Sequence, residues 1–261
     1  MTEDKAKGEP WVTKLHFPVH CLSKVESIDH ITGARFVSSY SYHHGYFDHA
    51  EREFRGFGRV DQIDTEEYEH FVKAASSNVQ ERVLHQTPVL VKTWFHNGAY
   101  LNQTRILNQY QNEYCDYDNP EYAHLEKFKL SQPTLSGDLS PVEWREALRA
   151  CKGMALRTET YGLDGTDKQD KPFSIVYHTC EINRFKPKQK IGILYFKFST
   201  LSLFLVIGSQ PIDPRISHNL LLTTNSYGQP KLTAVVSYGV TLPNKRMNCR
   251  QISKIRKLLT A

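Results

Sequence analysis

Between Phe36 and Tyr42 the chain alternates without a break, with Phe36, Ser38, Tyr40 and Tyr42 in one register and Val37, Ser39 and Ser41 in the other. Successive side chains of an extended strand point to opposite faces, so this period of two prescribes a strand and is incompatible with a helix. The glycine in His44-Gly45-Tyr46-Phe47-Asp48 interrupts the pattern, and the segment from Arg52 to Ile63 resumes it. A long hairpin is the simplest topology that joins the two. Fourteen Tyr and thirteen Phe extend the preference along the chain, because flat aromatic rings pack well on a pleated, half-buried surface. The expected class is mainly β.

The other elements follow from local signals. Leu15 to Val25 reads as extended and leads to a turn at Ile31-Thr32-Gly33, while the polar run 67–87 has weak helical patterning and is expected to be a linker. Thr87 to Trp94 is apolar and β-prone, with Asn97-Gly98 as a turn behind it. From Gln103 to Lys129 no period dominates, and no element is assigned. The helix with the clearest start opens at Ser140-Pro141-Val142-Glu143. Serine can cap, proline suits the first helical position, and Glu143 completes a capping box. Trp144, Ala147, Leu148 and Cys151 would share its apolar face, and Gly153 is placed to end it. Two more hairpins are expected. One joins Met154–Tyr161 to Phe173–Phe185 around Leu163-Asp164-Gly165, the other Leu220–Thr224 to Lys231–Tyr238 around Tyr227-Gly228.

Composition narrows the function. The formal charge is +5, but Thr241 to Ala261 holds six basic residues and no acidic one, leaving 27 basic against 28 acidic residues before it. A nucleic-acid groove needs Lys and Arg clustered on a folded surface, so no nucleic-acid partner is expected. The five cysteines, Cys21, Cys115, Cys151, Cys180 and Cys249, are widely spaced with no Cys-x-x-Cys pair, which points to free thiols. Met1 to Pro10 is polar and charged, so no secretory signal is read there. The apolar run Ile191 to Gly208 is slightly shorter than the ~20 residues of a membrane span and carries Lys197 near its middle. Two buried strands are expected there instead, with no membrane insertion.

Two constellations could carry chemistry. His43, His44, Asp48 and His49, with Glu51 nearby, hold atoms suited to zinc or iron. Adjacent strand residues face opposite ways, however, so His43 and His44 could not both ligate without a distortion at Gly45. Asp48 and Glu51 stand as in a capped turn, where a carboxylate accepts from nearby backbone N–H groups. Arg52-Glu53-Phe54-Arg55-Gly56-Phe57-Gly58 is glycine-rich but lacks the Lys-Ser/Thr of a phosphate loop. Glycine in a strand marks a bulge or a close approach, and Gly56 and Gly58 are expected on one face, leaving room for an aromatic ring. No metal, cofactor or catalytic residue is expected.

The runs Gly33-Ala34-Arg35-Phe36, Tyr42-His43-His44-Gly45-Tyr46-Phe47-Asp48 and Glu51-Arg52-Glu53-Phe54-Arg55-Gly56-Phe57-Gly58-Arg59-Val60 resemble the middle region of TcB-type insecticidal toxin complex proteins, a region shared with SpvB-type plasmid virulence proteins. The likeness continues through Pro88-Val89-Leu90, Thr93-Trp94-Phe95-His96-Asn97-Gly98-Ala99-Tyr100, Leu139-Ser140-Pro141, Leu148-Arg149-Ala150-Cys151-Lys152-Gly153 and Asp213-Pro214-Arg215-Ile216-Ser217-His218. The resemblance implies RHS-type hairpins and sheets of a toxin-complex shell, with at least one short α-helix. It implies a secreted, non-enzymatic component that meets a TcC-type RHS shell protein and a TcA-type pore-forming component, the shell enclosing a cytotoxic polypeptide. Arg52, Glu53, Phe54, Gly56, Phe57 and Gly58 then form a structural motif rather than an active site.

The same resemblance divides the chain into 1–66 as the end of the middle/N region, 67–87 as linker, 88–240 as the middle/C region and 241–261 as a non-homologous basic tail. It implies a truncated piece without the family's β-propeller. The family's counterpart of Phe198 to Gly208 is more polar than here. The competing expectation is a small metal-dependent enzyme centred on His43, His44, Asp48 and His49.

Overall fold

The computed structural model describes residues 6, 8, 15, 17–31, 35–66, 87–115, 134–135, 139–185, 195–206, 215–225 and 229–238. The expected linker, much of the unassigned stretch 103–129, and the basic tail lie largely or wholly outside these residues. The chain forms two compact units, each drawing on two stretches: 1–116 with 139–175, and 117–138 with 176–261. Both are mainly β.

In the first unit, β1 (Lys24–Ile28), β2 (Arg35–Asp48), β3 (Glu53–Glu66), β4 (Val89–Phe95) and β6 (Ala155–Gly162) form an antiparallel sheet in that order. Phe36 pairs with Glu66 and Tyr42 with Val60, which is the long hairpin read from the alternation. The register aligns whole rows across the sheet. His43, Arg59, Trp94 and Arg157 lie opposite one another in sequence, and so do Ser41, Asp61, Lys92 and Glu159 two residues further along. Directly opposed residues share a face, so one face of the sheet brings Arg59, Trp94 and Arg157 beside Asp61, Lys92 and Glu159.

Two helices belong to this unit, α1 (Gln103–Glu113) and α2 (Pro141–Ala150). Helix α2 starts as expected: Ser140 Oγ accepts from the Glu143 N–H, and the Glu143 side chain accepts from the Ser140 N–H. Ala147, Leu148 and Cys151 are buried along its apolar face, Trp144 is half-buried, and Gly153 turns the chain at φ +79° while its N–H donates to His96 O.

Helix α1 falls where no element was assigned. Its N-cap Asn102 sits in the left-handed region with no side-chain cap bond, and its first and last turns lack helix-stabilising charges. What holds it is a narrow stripe of Ile106, Leu107 and Tyr110, buried in a cluster with Tyr46, Trp94 and Ala99. Burial of that stripe substitutes for the missing terminal signals.

In the second unit, β5 (Thr134–Leu135) runs parallel to Glu181 and Ile182 of β7 (Ser174–Phe185). Strand β8 (Tyr195–Val206) pairs with β9 (Arg215–Thr224), and β9 with β10 (Pro230–Tyr238), all antiparallel. The hairpin β9–β10 is closed by reciprocal Asn225–Gln229 bonds and has a bulge near Leu232. Of the apolar run 191–208, residues 195–206 are described, and they form the single strand β8, where two strands were expected in the run. A strand rises about 3.3 Å per residue, and these residues stay extended without a turn. No helix among the described residues is long and apolar enough to cross a membrane.

Candidate functional site

The charged, glycine-rich motif occupies the closed end of the β2–β3 hairpin. Asp48 Oδ1 accepts from the N–H groups of Ala50 (3.0 Å) and Glu51 (3.2 Å), and Arg52 takes φ +51° as the chain reverses. Asp48 Oδ2 pairs at 3.0 Å with Arg55 Nη2, whose side chain is fully buried. Arg55 Nη1 also donates to Gly98 O at 3.2 Å. Glu53 receives Lys152 at 2.8 Å and Arg149 at 3.4 Å, both from the C-terminal end of α2 and its continuation, and Glu51 receives Arg145 at 3.0 Å. Lys152 in particular holds the Glu53 carboxyl below its usual range. The Glu51 and Glu53 carboxylates thus join hairpin to helix, while Arg55 pairs within the hairpin.

The two glycines have different reasons. Gly56 adopts φ +95°, with open space where a Cβ would stand, at a register shift between the Gly45–Phe57 and Phe47–Phe54 pairs. It is a bulge position, needed for conformation rather than room. Gly58 alone provides the aromatic slot: a Cβ there would lie 1.9 Å from Tyr110 Oη. The shared role expected for the pair is therefore divided. Phe54 and Phe57 stack edge-on at 5.4 Å, and Phe54 also meets Phe17 at 6.3 Å.

The histidines do not gather around a common point. The strand is distorted at His44, whose φ is +56°, one residue before the Gly45 at which a distortion would be required for both histidines to ligate. This resets the alternation, so His43 and His44 approach one carboxylate each: His43 Nε2 is 3.3 Å from Asp61 Oδ2, and His44 Nε2 pairs closely with Glu113 Oε1. Their ring centroids are 6.4 Å apart. Asp48 is held by Arg55, and His49 lies edge-on against Phe47 at 5.1 Å. Among the described residues no group of three or more His, Cys, Asp or Glu is placed to hold a metal ion.

Sequence reasoning missed the residues that form the larger network. Glu113, the last residue of α1, receives Arg59 Nη1 at 2.8 Å and Trp94 Nε1 at 3.2 Å in addition to His44. Arg59 also grips Asp61 at 3.0 Å. Burial would raise both carboxyls, but His44 and Arg59 bring Glu113 below its ordinary value, as His43 and Arg59 do Asp61. A second cluster lies on β6. Arg157 and Glu159, both 1% exposed, form a close ion pair; Tyr161 Oη donates to Glu159 Oε2 at 2.5 Å and Cys115 N–H to Oε1 at 2.9 Å. Burial and the Glu159 charge push the Tyr161 hydroxyl up. The available signal was Arg59-x-Asp61 and Arg157-x-Glu159, opposite charges two apart and therefore on one face of a strand. His96 is also buried; its Nδ1 accepts from Gly98 N–H at 2.9 Å, and burial lowers it to about 4, so the ring is neutral.

A helix-braced antiparallel sheet whose buried charges satisfy one another defines a mainly β scaffold. Two family models match it in tandem: the insecticide toxin TcdB middle/N-terminal region over residues 1–96 and the middle/C-terminal region over residues 146–257. The second match takes in residues 241–257 of the basic segment. The chain belongs to this TcdB family and carries both middle regions. Among solved structures, TcdB2-TccC3 matches with a TM-score of 0.70 at 26% identity, over 95% of this chain and 11% of that one. TcdB2-TccC3-Cdc42 matches with 0.71, 26%, 95% and 11%. A Photorhabdus luminescens Tc holotoxin pore with a substituted TccC3 matches with 0.69, 26%, 94% and 11%. This chain therefore spans about a tenth of the length of those solved chains. No curated protein matches it.

Proposed function

We propose that the chain is a wall-forming part of a secreted toxin complex, one stretch of a β-rich shell that encloses a cytotoxic polypeptide. Its partners in this role are a TcC-type RHS shell protein and, through other parts of the assembly, a TcA-type pore-forming component. It acts outside the producing cell and contributes no catalysis. The observation that carries the proposal is the tandem match of both middle regions together with a TM-score of 0.70 to TcdB2-TccC3 over 95% of the chain.

The local chemistry is consistent with a wall. Arg55, Arg59, Arg157, Asp61, Glu113 and Glu159 each have protein partners within the first unit. Such pairing rigidifies a sheet. Within this role the motif Arg52, Glu53, Phe54, Gly56, Phe57 and Gly58 is structural: it closes the hairpin and ties it to α2.

The test is a graft. The matched segment of TcdB2 is replaced by this chain, the product is co-expressed with TccC3, and the mixture is passed over a sizing column. Co-elution as one large complex is expected. A folded graft that elutes apart from TccC3 would count against the shell role.

A further inference from the structure

The three residues Glu113-Tyr114-Cys115 close the first unit's opening stretch, which ends at Asp116. Each is held separately. Glu113 is held by His44 of β2, Arg59 of β3 and Trp94 of β4; Tyr114 lies edge-on to Trp94 at 4.9 Å with the Arg157 guanidinium 4.5 Å above its ring. Cys115 gives its N–H to Glu159 and its carbonyl to Arg157, at 2.9 and 3.5 Å. Four strands thus converge on one tripeptide.

We propose that Glu113-Tyr114-Cys115 is an ionic latch, released by proton uptake on its carboxylate, that lets the end of α1 leave the sheet while the β2–β3 hairpin stays folded. The geometry separates the two parts. The hairpin is held by its own backbone ladder from Phe36–Glu66 to Asp48–Glu53. The end of α1 lies outside that ladder: the Tyr114 N–H makes a long 3.3 Å bond to Gln111 O, and the Cys115 N–H donates to the Glu159 carboxylate.

The groups facing Glu113 are His44 and, beyond it, His43 from β2; Arg59 and Asp61 from β3; and the Trp94 indole from β4, with Tyr110 and Tyr114 on its own segment. Lys92 of β4 acts on Asp61. Arg59 faces two carboxylates, Asp61 and Glu113. The Glu113 carboxyl lies below its ordinary value, so the contribution of its charge is complete above that value and is lost as the pH falls through the lowered one.

Residue-resolved hydrogen exchange on the full chain tests the latch. Glu113→Gln imitates the protonated carboxyl at neutral pH. Amides of Tyr114 and Cys115 should then exchange at least about tenfold faster, the scale of losing a charged hydrogen bond. The Tyr40 amide, bonded to Ser23 O at 2.8 Å, should not change. In the unaltered chain the same two amides should open on acidification, after correction for intrinsic rates, and His44→Gln should move that opening to higher pH. The Gly98 amide reports the separate protonation of His96. Equal acceleration at Tyr40, no acceleration at Tyr114 and Cys115, or an opening unmoved by His44→Gln would each overturn the proposal.

Discussion

Gly58→Ala adds one methyl group at a place with no room for it. The new Cβ would stand 1.9 Å from Tyr110 Oη, 2.5 Å from Cζ and 2.8 Å from Cε1. Tyr110 is 1% exposed, with Ile106 and Leu107 buried beside it and Glu113 tied to three strands, so the ring cannot turn aside without moving α1. Overpacking of this kind costs about 1–3 kcal/mol, and the depth of the overlap places it at the upper end or beyond. For a stretch of 150–250 residues about 3 kcal/mol corresponds to roughly 6–12 °C in Tm. The assay is thermal and urea unfolding followed by tryptophan fluorescence, since Trp94 is fully buried in the same cluster. A double-mutant cycle identifies the cause: with Tyr110→Ala in place, Gly58→Ala should cost little, giving a coupling of about 2 kcal/mol or more. An unshifted transition, or an equal cost in both backgrounds, would refute the reasoning.

Other substitutions separate the remaining contributions. Gly56→Ala meets no neighbouring atom and should cost only the strain of φ +95°, about 1–3 kcal/mol by urea unfolding, with no dependence on residue 110. Arg55→Ala strands the Asp48 carboxylate and should cost about 3–5 kcal/mol in the same assay, whereas removing the solvent-screened surface pair Lys24–Glu26 should leave the unfolding midpoint nearly unchanged. Ser140→Ala breaks the capping box of α2 and should cost about 1 kcal/mol. His96 has a folded value of about 4 against an ordinary 6.5, so the unfolded chain takes up its proton first. Stability from this group is complete above pH 6.5 and falls by up to roughly 3 kcal/mol as the pH approaches 4, a slope that His96→Asn should remove.

The parts of the fold readable in the sequence are those governed by local rules. Alternation from Phe36 to Tyr42 specified β2 because a sheet with one covered face imposes a period of two. Ser140, Pro141 and Glu143 specified the start of α2 because a cap is a contact between near neighbours. Helix α1 carries no such rule: its three Gln and two Asn and its uncapped start dilute the stripe Ile106, Leu107 and Tyr110, whose partners lie on other strands. The site divides the same way. The Asp48 turn and the Gly56 bulge are local, while the Glu113 and Glu159 clusters join distant residues, Arg59 to Glu113 across 54 positions and Cys115 to Glu159 across 44. Only their Arg-x-Asp and Arg-x-Glu halves were visible. The positive φ of His44, which no local signal in the sequence marks, decides which carboxylate each histidine meets.

Protease protection tests the proposed wall role most directly. A TcdB2 graft carrying this chain, assembled with TccC3, is treated with protease, and survival of the enclosed polypeptide is compared with that in the parental complex. Equal protection, unchanged by a metal chelator, is expected. A folded, assembled graft whose enclosed polypeptide is digested would contradict that role.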